Sequence, residues 1–274
     1  LLADVRPTCV EDIMALVALG RPGPITMAPD FAAGKRHPES IKYLHPCMKE
    51  ILQETYGVML YQEQVMKVAS VFAGFSLGEA DILRRAMGKK KPEEMETMHK
   101  RFLDGAKAQG MDDKLAEQVY WLIERFAGYG FNASHSAAYG LITYQTAYLK
   151  HYYFAEFMAA TLTSMVDNSD KVAAYMDYCR NKGTKIVQPD VNLSERYFTA
   201  EGGSIAIGLA AVKNVGLNAA DAIVEERGAR GEFKSLADFC DRIDTTMINR
   251  KAIESLIQAG AFDKFGSRKA QLSV

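Results

Sequence analysis

Apolar residues recur every three to four positions along most of the first 183 residues, which is the spacing of helices with one buried face. Between Gln62 and Ala73, for example, Val65, Met66 and Phe72 follow this spacing. The pattern predicts helices over 9–19, 49–55, 62–73, 77–87, 92–109, 112–128, 135–164 and 169–182.

Signals at the ends of these segments refine the prediction. Ser76 followed by Glu79 is typical of a capping box before helix 77–87, and Pro92 is typical of a first helical position. Residues 21–46 are rich in proline, glycine and charge, so we expect an irregular surface loop there.

The pattern changes after Gly183. Residues 197–200 and 204–207 flank Glu201-Gly202-Gly203, which indicates a β-hairpin. The pattern then predicts short helices over 209–212, 218–226, 236–242 and 249–259. We therefore predict a mainly α fold, with a multi-helix domain over 1–183 and a small β-hairpin plus tandem helix-hairpin-helix region over 184–274.

Composition narrows the class of protein. The chain has 274 residues, with 33 basic and 34 acidic side chains, so no global basic excess indicates nucleic-acid binding. We expect no membrane span, because no apolar run reaches about 18 residues. The four cysteines are scattered without a CxxC pair, which favours reduced thiols in the cytoplasm. The chain starts without methionine, and we expect it to be a piece of a longer protein.

The densest charge cluster covers residues 84–91 and contains no acidic residue. Its five cations are Arg84, Arg85, Lys89, Lys90 and Lys91. Arginine offers paired donors to phosphate and lysine a compact charge, so one hypothesis is a phosphate-binding cluster. The alternative is an ordinary helix end, because cations complement the helix dipole there.

A second candidate is the glycine-rich segment 128–132, which leads into a predicted helix. Free N–H groups at a helix start favour anions, and Asn132, Ser134 and His135 would add side-chain donors. The alternative is a capped helix packed by aromatic residues.

A third candidate is the segment 208–218, a short helix, a turn and a second helix. Backbone N–H groups in such a turn can hold a DNA phosphate without reading the base sequence. We assign Lys213, Asn214 and Gly216 to this surface. If the backbone of Gly216 has positive φ, a Cβ there would cost about 1 kcal/mol or more and would block close approach to DNA. A poorer second copy covers 249–265. Helix-turn-helix pairs that only pack together are the alternative.

No pattern assigns a catalytic residue or a metal ligand. His37, His45 and Cys47 lack zinc spacing, and no close set of aspartates indicates a two-metal site.

Several motifs resemble, in order along the chain, the bacterial C-family replicative polymerases, the DNA polymerase III alpha-subunit family. They are YQEQVM at 61–66, GEADILRRAMGKK at 78–90, FAGYGFN at 126–132, YQTAYLK at 144–150, PDVN at 189–192, FKSL with DFC at 233–240, and AGAFD at 259–263. Three positions differ from the usual pattern: Ala133 and Ser136 replace Lys and Ala, and Gly140 replaces an Ala, which should weaken its helix by about 1 kcal/mol.

The resemblance implies a fingers region followed by a helix-hairpin-helix segment. Such fingers bind the incoming deoxynucleoside triphosphate and template-primer DNA. Nucleotide-phosphate contacts are then expected from Arg84, Arg85, Lys89, Lys90, Asn132, Ser134 and His135, and DNA contacts from Lys91, Lys213, Asn214 and Gly216.

The resemblance also implies what other parts of the parent supply. The catalytic aspartates and their Mg²⁺ belong to a palm outside this chain, so we expect this chain alone to be inactive. The sliding clamp and other replisome subunits are expected partners through the parent, in the bacterial cytoplasm. The alternative is a stand-alone, sequence-independent DNA-binding scaffold, which the sequence upstream of Leu1 would distinguish.

Overall fold

The computed structural model describes residues 1–89, 92–127, 130–244 and 246–273, with the backbone alone for 87–89, 92 and 127. The described residues are mainly helical with a small sheet, which confirms the predicted fold class. Contacts divide the chain into two units, Leu1–Gln145 and Thr146–Val274. The boundary near residue 183 remains a prediction. Within the described residues, no helix has the length and apolar character needed to cross a bilayer.

The first unit is a bundle of helices joined by short 3₁₀ turns. Its helices are α1 (Leu2–Val5), α2 (Val10–Leu19), α3 (Ala28–Arg36), α4 (Lys49–Leu52), α5 (Gln62–Ala73), α6 (Leu77–Lys89), α7 (Pro92–Ala108), α8 (Asp113–Ala127) and the start of α9 (Ala133–Tyr152). Helix α5 packs on α6, α7 and α8. Its buried Phe72 stacks on Phe102 with ring centroids 5.9 Å apart.

Most of the predicted helices in this unit are confirmed. Helix α5 has the predicted bounds, and Pro92 is the first residue of α7. The capping box of α6 is present: the Ser76 N–H donates to Glu79 Oε2 at 2.8 Å, and the Glu79 N–H donates to Ser76 Oγ at 3.3 Å.

The predicted surface loop over 21–46 is wrong. Helix α3 occupies its middle, and Phe31 on α3 is fully buried. Phe31 packs edge-on against Tyr56, with ring centroids 5.0 Å apart. Gly34 lets the same helix approach closely, because a Cβ there would lie 2.6 Å from the Tyr56 carbonyl oxygen. This tertiary packing outweighs the loop-like composition.

The single helix predicted over 135–164 is also wrong. Tyr153, with φ −131° and ψ 54°, separates α9 from α10 (Phe154–Ser164). Gly140 lies in the N-terminal part of α9, where a Cβ would be 2.9 Å from Met14 Cγ and 3.3 Å from Met14 Cα. Close packing on α2 therefore accounts for a glycine in this helix.

The second unit combines helices with a three-stranded sheet. Its further helices are α11 (Ser169–Asn181), α12 (Leu217–Arg230), α13 (Leu236–Arg242), α14 (Arg250–Ala259) and α15 (Arg268–Gln271). Strands β1 (Ile186–Val187), β2 (Thr199–Glu201) and β3 (Ser204–Ala206) lie in the order β1-β3-β2. The predicted hairpin is confirmed: β2 and β3 are antiparallel around Gly202 and Gly203, whose φ values are 55° and 77°.

Two cores lie within this second unit. Helices α10 and α11 and the sheet share one core, around Leu162, Cys179 and Ile205. The helix-hairpin-helix region has its own core, around Ile223, Phe239 and Phe262. Arg242, 11% exposed, ties this region together by pairing with Glu226 at 2.9 Å and lying over the Phe233 ring at 4.4 Å.

Candidate functional site

The arginines of the predicted basic cluster have an acidic partner on the same helix. Asp81 accepts from Arg84 Nη2 and from Arg85 Nη2, each at 2.7 Å. The hydrogen bonds from Arg84 hold the pKa of Asp81 below its usual range. Arg84 is 25% exposed and Arg85 is 65% exposed, so Arg85 keeps more of its surface for a ligand.

The structure describes no side chain for the three lysines of the cluster. Helix α6 ends at Lys89, whose backbone alone is described. Lys90 and Lys91 lie outside the described residues, so the predictions made for their side chains stay predictions.

Arg84 is linked through Gln62 to the segment that precedes α9. Its Nη1 lies 3.3 Å from Gln62 Oε1 on the first turn of α5. Gln62 packs against Gly130, where a Cβ would lie 3.2 Å from Gln62 Cγ. The Gln62 N–H donates to the Phe131 carbonyl at 2.9 Å, and the Phe131 N–H donates to the Leu60 carbonyl at 3.1 Å. Two candidate clusters that are distant in sequence are thus joined through residues 60–62.

Glu63 occupies part of the predicted anion site. Its Oε2 accepts from the Ala133 N–H, and its Oε1 accepts from Asn132 Nδ2, both at 3.0 Å. Asn132 Oδ1 accepts from the His135 N–H at 2.8 Å and thereby caps α9. A carboxylate of this chain therefore neutralises the helix start that sequence reasoning left free for a phosphate.

The side chains that remain available on the first turn of α9 are those of Ser134 and His135, which are both exposed. The His135 ring lies 5.2 Å from Phe131 and 4.5 Å from Tyr139, measured between ring centroids. Arg21 places its guanidinium 4.2 Å from the centre of the Phe131 ring. Sequence reasoning missed Arg21, Gln62 and Glu63. No local pattern connects them with residues 130–133.

A buried amide holds this junction in place. Gln64, 6% exposed, accepts from the N–H groups of Leu60 and Tyr61, each at 2.9 Å. Its Nε2 donates to Thr55 Oγ1 at 2.7 Å and to the Ile51 carbonyl at 3.1 Å. All four hydrogen-bonding positions of the amide are used, so Gln64 fixes the backbone that carries Gln62 and Glu63.

The predicted DNA-contacting turn is exposed, and its left-handed backbone conformation lies at Asn214. Lys213 and Asn214 are exposed between the buried Val212 and Val215, and Gly216 is exposed directly after Val215. Positive φ belongs to Asn214, at 66°, whereas Gly216 is extended with φ −76° and ψ 169°. Positive φ is therefore not the reason for a glycine at this position. Gly216 instead precedes the first residue of α12, and a Cβ there would meet no atom within 4 Å.

This turn borders a small cavity of about 310 Å³. Its lining includes Gly216 before α12 and Asn249 before α14. Asn214 Nδ2 donates to Ser255 Oγ at 2.9 Å, which anchors the turn to α14. The cavity therefore lies beside the starts of two helices, where N–H groups point outward.

The poorer second hairpin is built differently. Gly260, with φ 94°, ends α14, and a Cβ there would lie 2.4 Å from Arg268 Nη2 and 2.6 Å from Gln188 Oε1. Arg268 pairs with Asp263 at 2.6 Å. A carboxylate and its partner thus lie close to this turn, whereas a Cβ on Gly216 in the first turn would meet no described atom within 4 Å.

Comparisons with known proteins cover both parts of the chain. Residues 1–110 match the bacterial DNA polymerase III alpha subunit finger domain, and residues 183–272 match a helix-hairpin-helix motif. The chain is 49% identical to DNA polymerase III subunit alpha of Haemophilus influenzae over 100% of its length. It is 50% identical to that of Pseudomonas aeruginosa over 97% and 47% identical to that of Escherichia coli over 99%.

Over its whole length the chain is thus similar to DNA polymerase III alpha subunits. It covers 24%, 23% and 24% of the length of these three relatives, about a quarter of each. Arg84 and Arg85 lie inside the part that matches the alpha-subunit finger domain, and Lys213 to Gly216 lie inside the helix-hairpin-helix match. Asn132, Ser134 and His135 lie between the two matched regions.

Proposed function

We propose that this chain is the fingers part of a replicative DNA-directed DNA polymerase and binds the incoming deoxynucleoside triphosphate together with template-primer DNA. The similarity of the whole chain to DNA polymerase III alpha subunits supports the assignment to a polymerase. The observation that carries the nucleotide site is the junction at Gln62, which joins Arg84 to the segment before α9.

In this proposal the chain contributes charge neutralisation and positioning. Asp81 orients Arg84 and Arg85, leaving Arg85 the more exposed of the two. Guanidinium groups form strong paired hydrogen bonds with phosphate, and Lys89 and Lys90 extend the positive charge along the sequence. Ser134 and His135 face the same nucleotide from the first turn of α9. Holding a triphosphate in a reactive geometry is itself a large contribution to rate.

The group-transfer chemistry is assigned to the parent protein. Among the described residues, no group of three or more His, Cys, Asp or Glu side chains is arranged to hold a metal ion. The part of the chain that the structure describes therefore offers no such cluster for Mg²⁺. We place the Mg²⁺ and its carboxylates in a palm elsewhere in the parent. The isolated chain is then expected to show no primer extension.

DNA contacts are assigned to the turn at Lys213, Asn214 and Gly216, with Lys91 as a further candidate. Backbone N–H groups and one lysine contact phosphates and no base edges, so binding should ignore sequence and weaken with salt. Through the parent, the further proposed partners are the sliding clamp and other replisome subunits, in the bacterial cytoplasm.

Nucleotide kinetics in the full-length polymerase test the proposal. Arg84→Ala and Arg85→Ala each remove a charge-assisted hydrogen bond, so kcat/KM for nucleotide should fall roughly tenfold to a hundredfold. Arg180→Ala is a matched control, because Arg180 pairs with Asp177 at 2.7 Å on α11 and is 53% exposed. Wild-type nucleotide kinetics in both Arg84 and Arg85 variants would show instead that the cluster is an ordinary helix end.

A further inference from the structure

The start of α9 is held by a carboxylate from another helix. Glu63, on the first turn of α5, uses one oxygen for the Ala133 N–H and the other for Asn132 Nδ2. Asn132 and Ala133 lie 69 and 70 positions after Glu63 in the chain. Asn132 in turn accepts the His135 N–H. Each polar atom of the Asn132 side chain therefore has a partner inside the protein.

This arrangement limits what a phosphate can contact here. The Ala133 N–H has one hydrogen, so a phosphate oxygen could take it only by displacing Glu63 Oε2. Asn132 Nδ2 has a second hydrogen, but a phosphate on it would lie beside the Glu63 carboxylate that accepts the first. Two anions sharing these donors would also repel each other. Ser134 and His135, on the same first turn of α9, have exposed side chains that need no such displacement.

We infer that Glu63 and Asn132 are a pair of positioning residues that fix the first turn of α9, so that Ser134 and His135, and not Asn132, meet the nucleotide phosphates. The inference rests on the proposed function of the fingers. It moves Asn132 from the expected phosphate contacts to a supporting role, and it gives Glu63 a role that sequence reasoning did not.

Exchanging the two groups tests the pair. Glu63→Gln alone places an amide NH₂ against a donor, and Asn132→Asp alone places a carboxylate against the Glu63 carboxylate. The double variant Glu63→Gln/Asn132→Asp restores every hydrogen bond, since the new glutamine can accept from Ala133 and donate to the new aspartate. It also keeps the net charge unchanged.

In the full-length polymerase, each single variant should lower kcat/KM for nucleotide about tenfold. The double variant should recover to within about twofold of wild type, with the thermal midpoint recovering in parallel. Glu79→Gln is the control: Glu79 caps α6 by accepting from Ser76, so its loss should lower the midpoint and leave the nucleotide KM unchanged.

The outcomes separate the inference from the proposed function. If the double variant recovers its thermal midpoint but keeps the raised nucleotide KM of Asn132→Asp, Asn132 contacts the phosphates and the inference is overturned. Unchanged kinetics and midpoint in both single variants would also overturn it. If the exchange behaves as expected while Arg84→Ala and Arg85→Ala leave nucleotide kinetics unaltered, the pair stands and the assignment of the arginines fails.

Discussion

Replacing Gln64 should destabilise residues 60–62, the segment that joins the two candidate clusters. The change Gln64→Leu keeps much of the side-chain volume and removes the only acceptor that the described structure gives to the N–H groups of Leu60 and Tyr61. Both residues are buried, at 2% and 8% exposure, so water cannot replace the lost acceptor without local opening. An unsatisfied buried group costs about 1–3 kcal/mol, and two such groups give about 2–6 kcal/mol of lost stability.

Urea unfolding followed by Trp121 fluorescence measures this loss. Trp121 is the sole tryptophan of the chain and lies on α8, so its signal reports on the first unit. Gln118→Leu on the exposed side of α8 is the control and should change stability by no more than about 0.5 kcal/mol.

A second substitution at this position separates the two halves of the amide. Gln64→Glu keeps the acceptor, loses the donors and buries a carboxyl group, whose pKa should rise in the folded state. Stability should then be greatest in acid and should fall as pH rises through that folded-state pKa. A loss below about 1 kcal/mol for Gln64→Leu, or no pH dependence for Gln64→Glu, would refute the assigned role.

The remaining predictions concern a buried ion pair and the DNA-contacting turn. Burial alone would raise the pKa of Asp12, but hydrogen bonds from Lys35, from Thr8 and from other neighbours hold it well below the usual range. Its contribution to stability should therefore be full above about pH 4 and be lost as pH falls further, and Lys35→Met should cost about 3–5 kcal/mol at pH 7 and remove this acid dependence. Urea unfolding at several pH values checks both, and an unchanged acid profile would contradict the assignment. At the turn, Gly216→Val should leave stability within about 0.5 kcal/mol, because the backbone is extended and open, yet weaken duplex binding in fluorescence anisotropy. Gly228→Ala, inside α12 and equally open, should bind DNA like wild type, and equal binding by both variants would remove the turn from the DNA surface.

The parts of the fold that follow from local spacing could be predicted from the sequence. Helix α5 and the α6 capping box depend on residues within four positions of each other. Helix α3 could not be predicted this way, because burial of Phe31 depends on Tyr56, which no local pattern connects to it. The break at Tyr153 carries no proline or glycine signal.

Only part of the candidate site could be predicted from the sequence. The arginines and the loop before α9 stand out by charge and glycine content, and Asp81 could have been found as their partner from its spacing of three and four residues. The bonds from Glu63 to Asn132 and Ala133 connect distant parts of the chain, and a single sequence contains no signal for them.

Hydrogen exchange in the assembled polymerase tests the central claim most directly, that the incoming nucleotide binds at the start of α9. The peptide over 132–137 should exchange more slowly when the correct nucleotide is added to the full-length enzyme on primer-template DNA. The peptide over 168–173 is the control, since Asn168 caps α11 by accepting the Lys171 N–H at 3.1 Å, as Asn132 caps α9. Protection confined to 132–137 is the predicted result. Equal protection of both peptides, or none at 132–137, would contradict the claim.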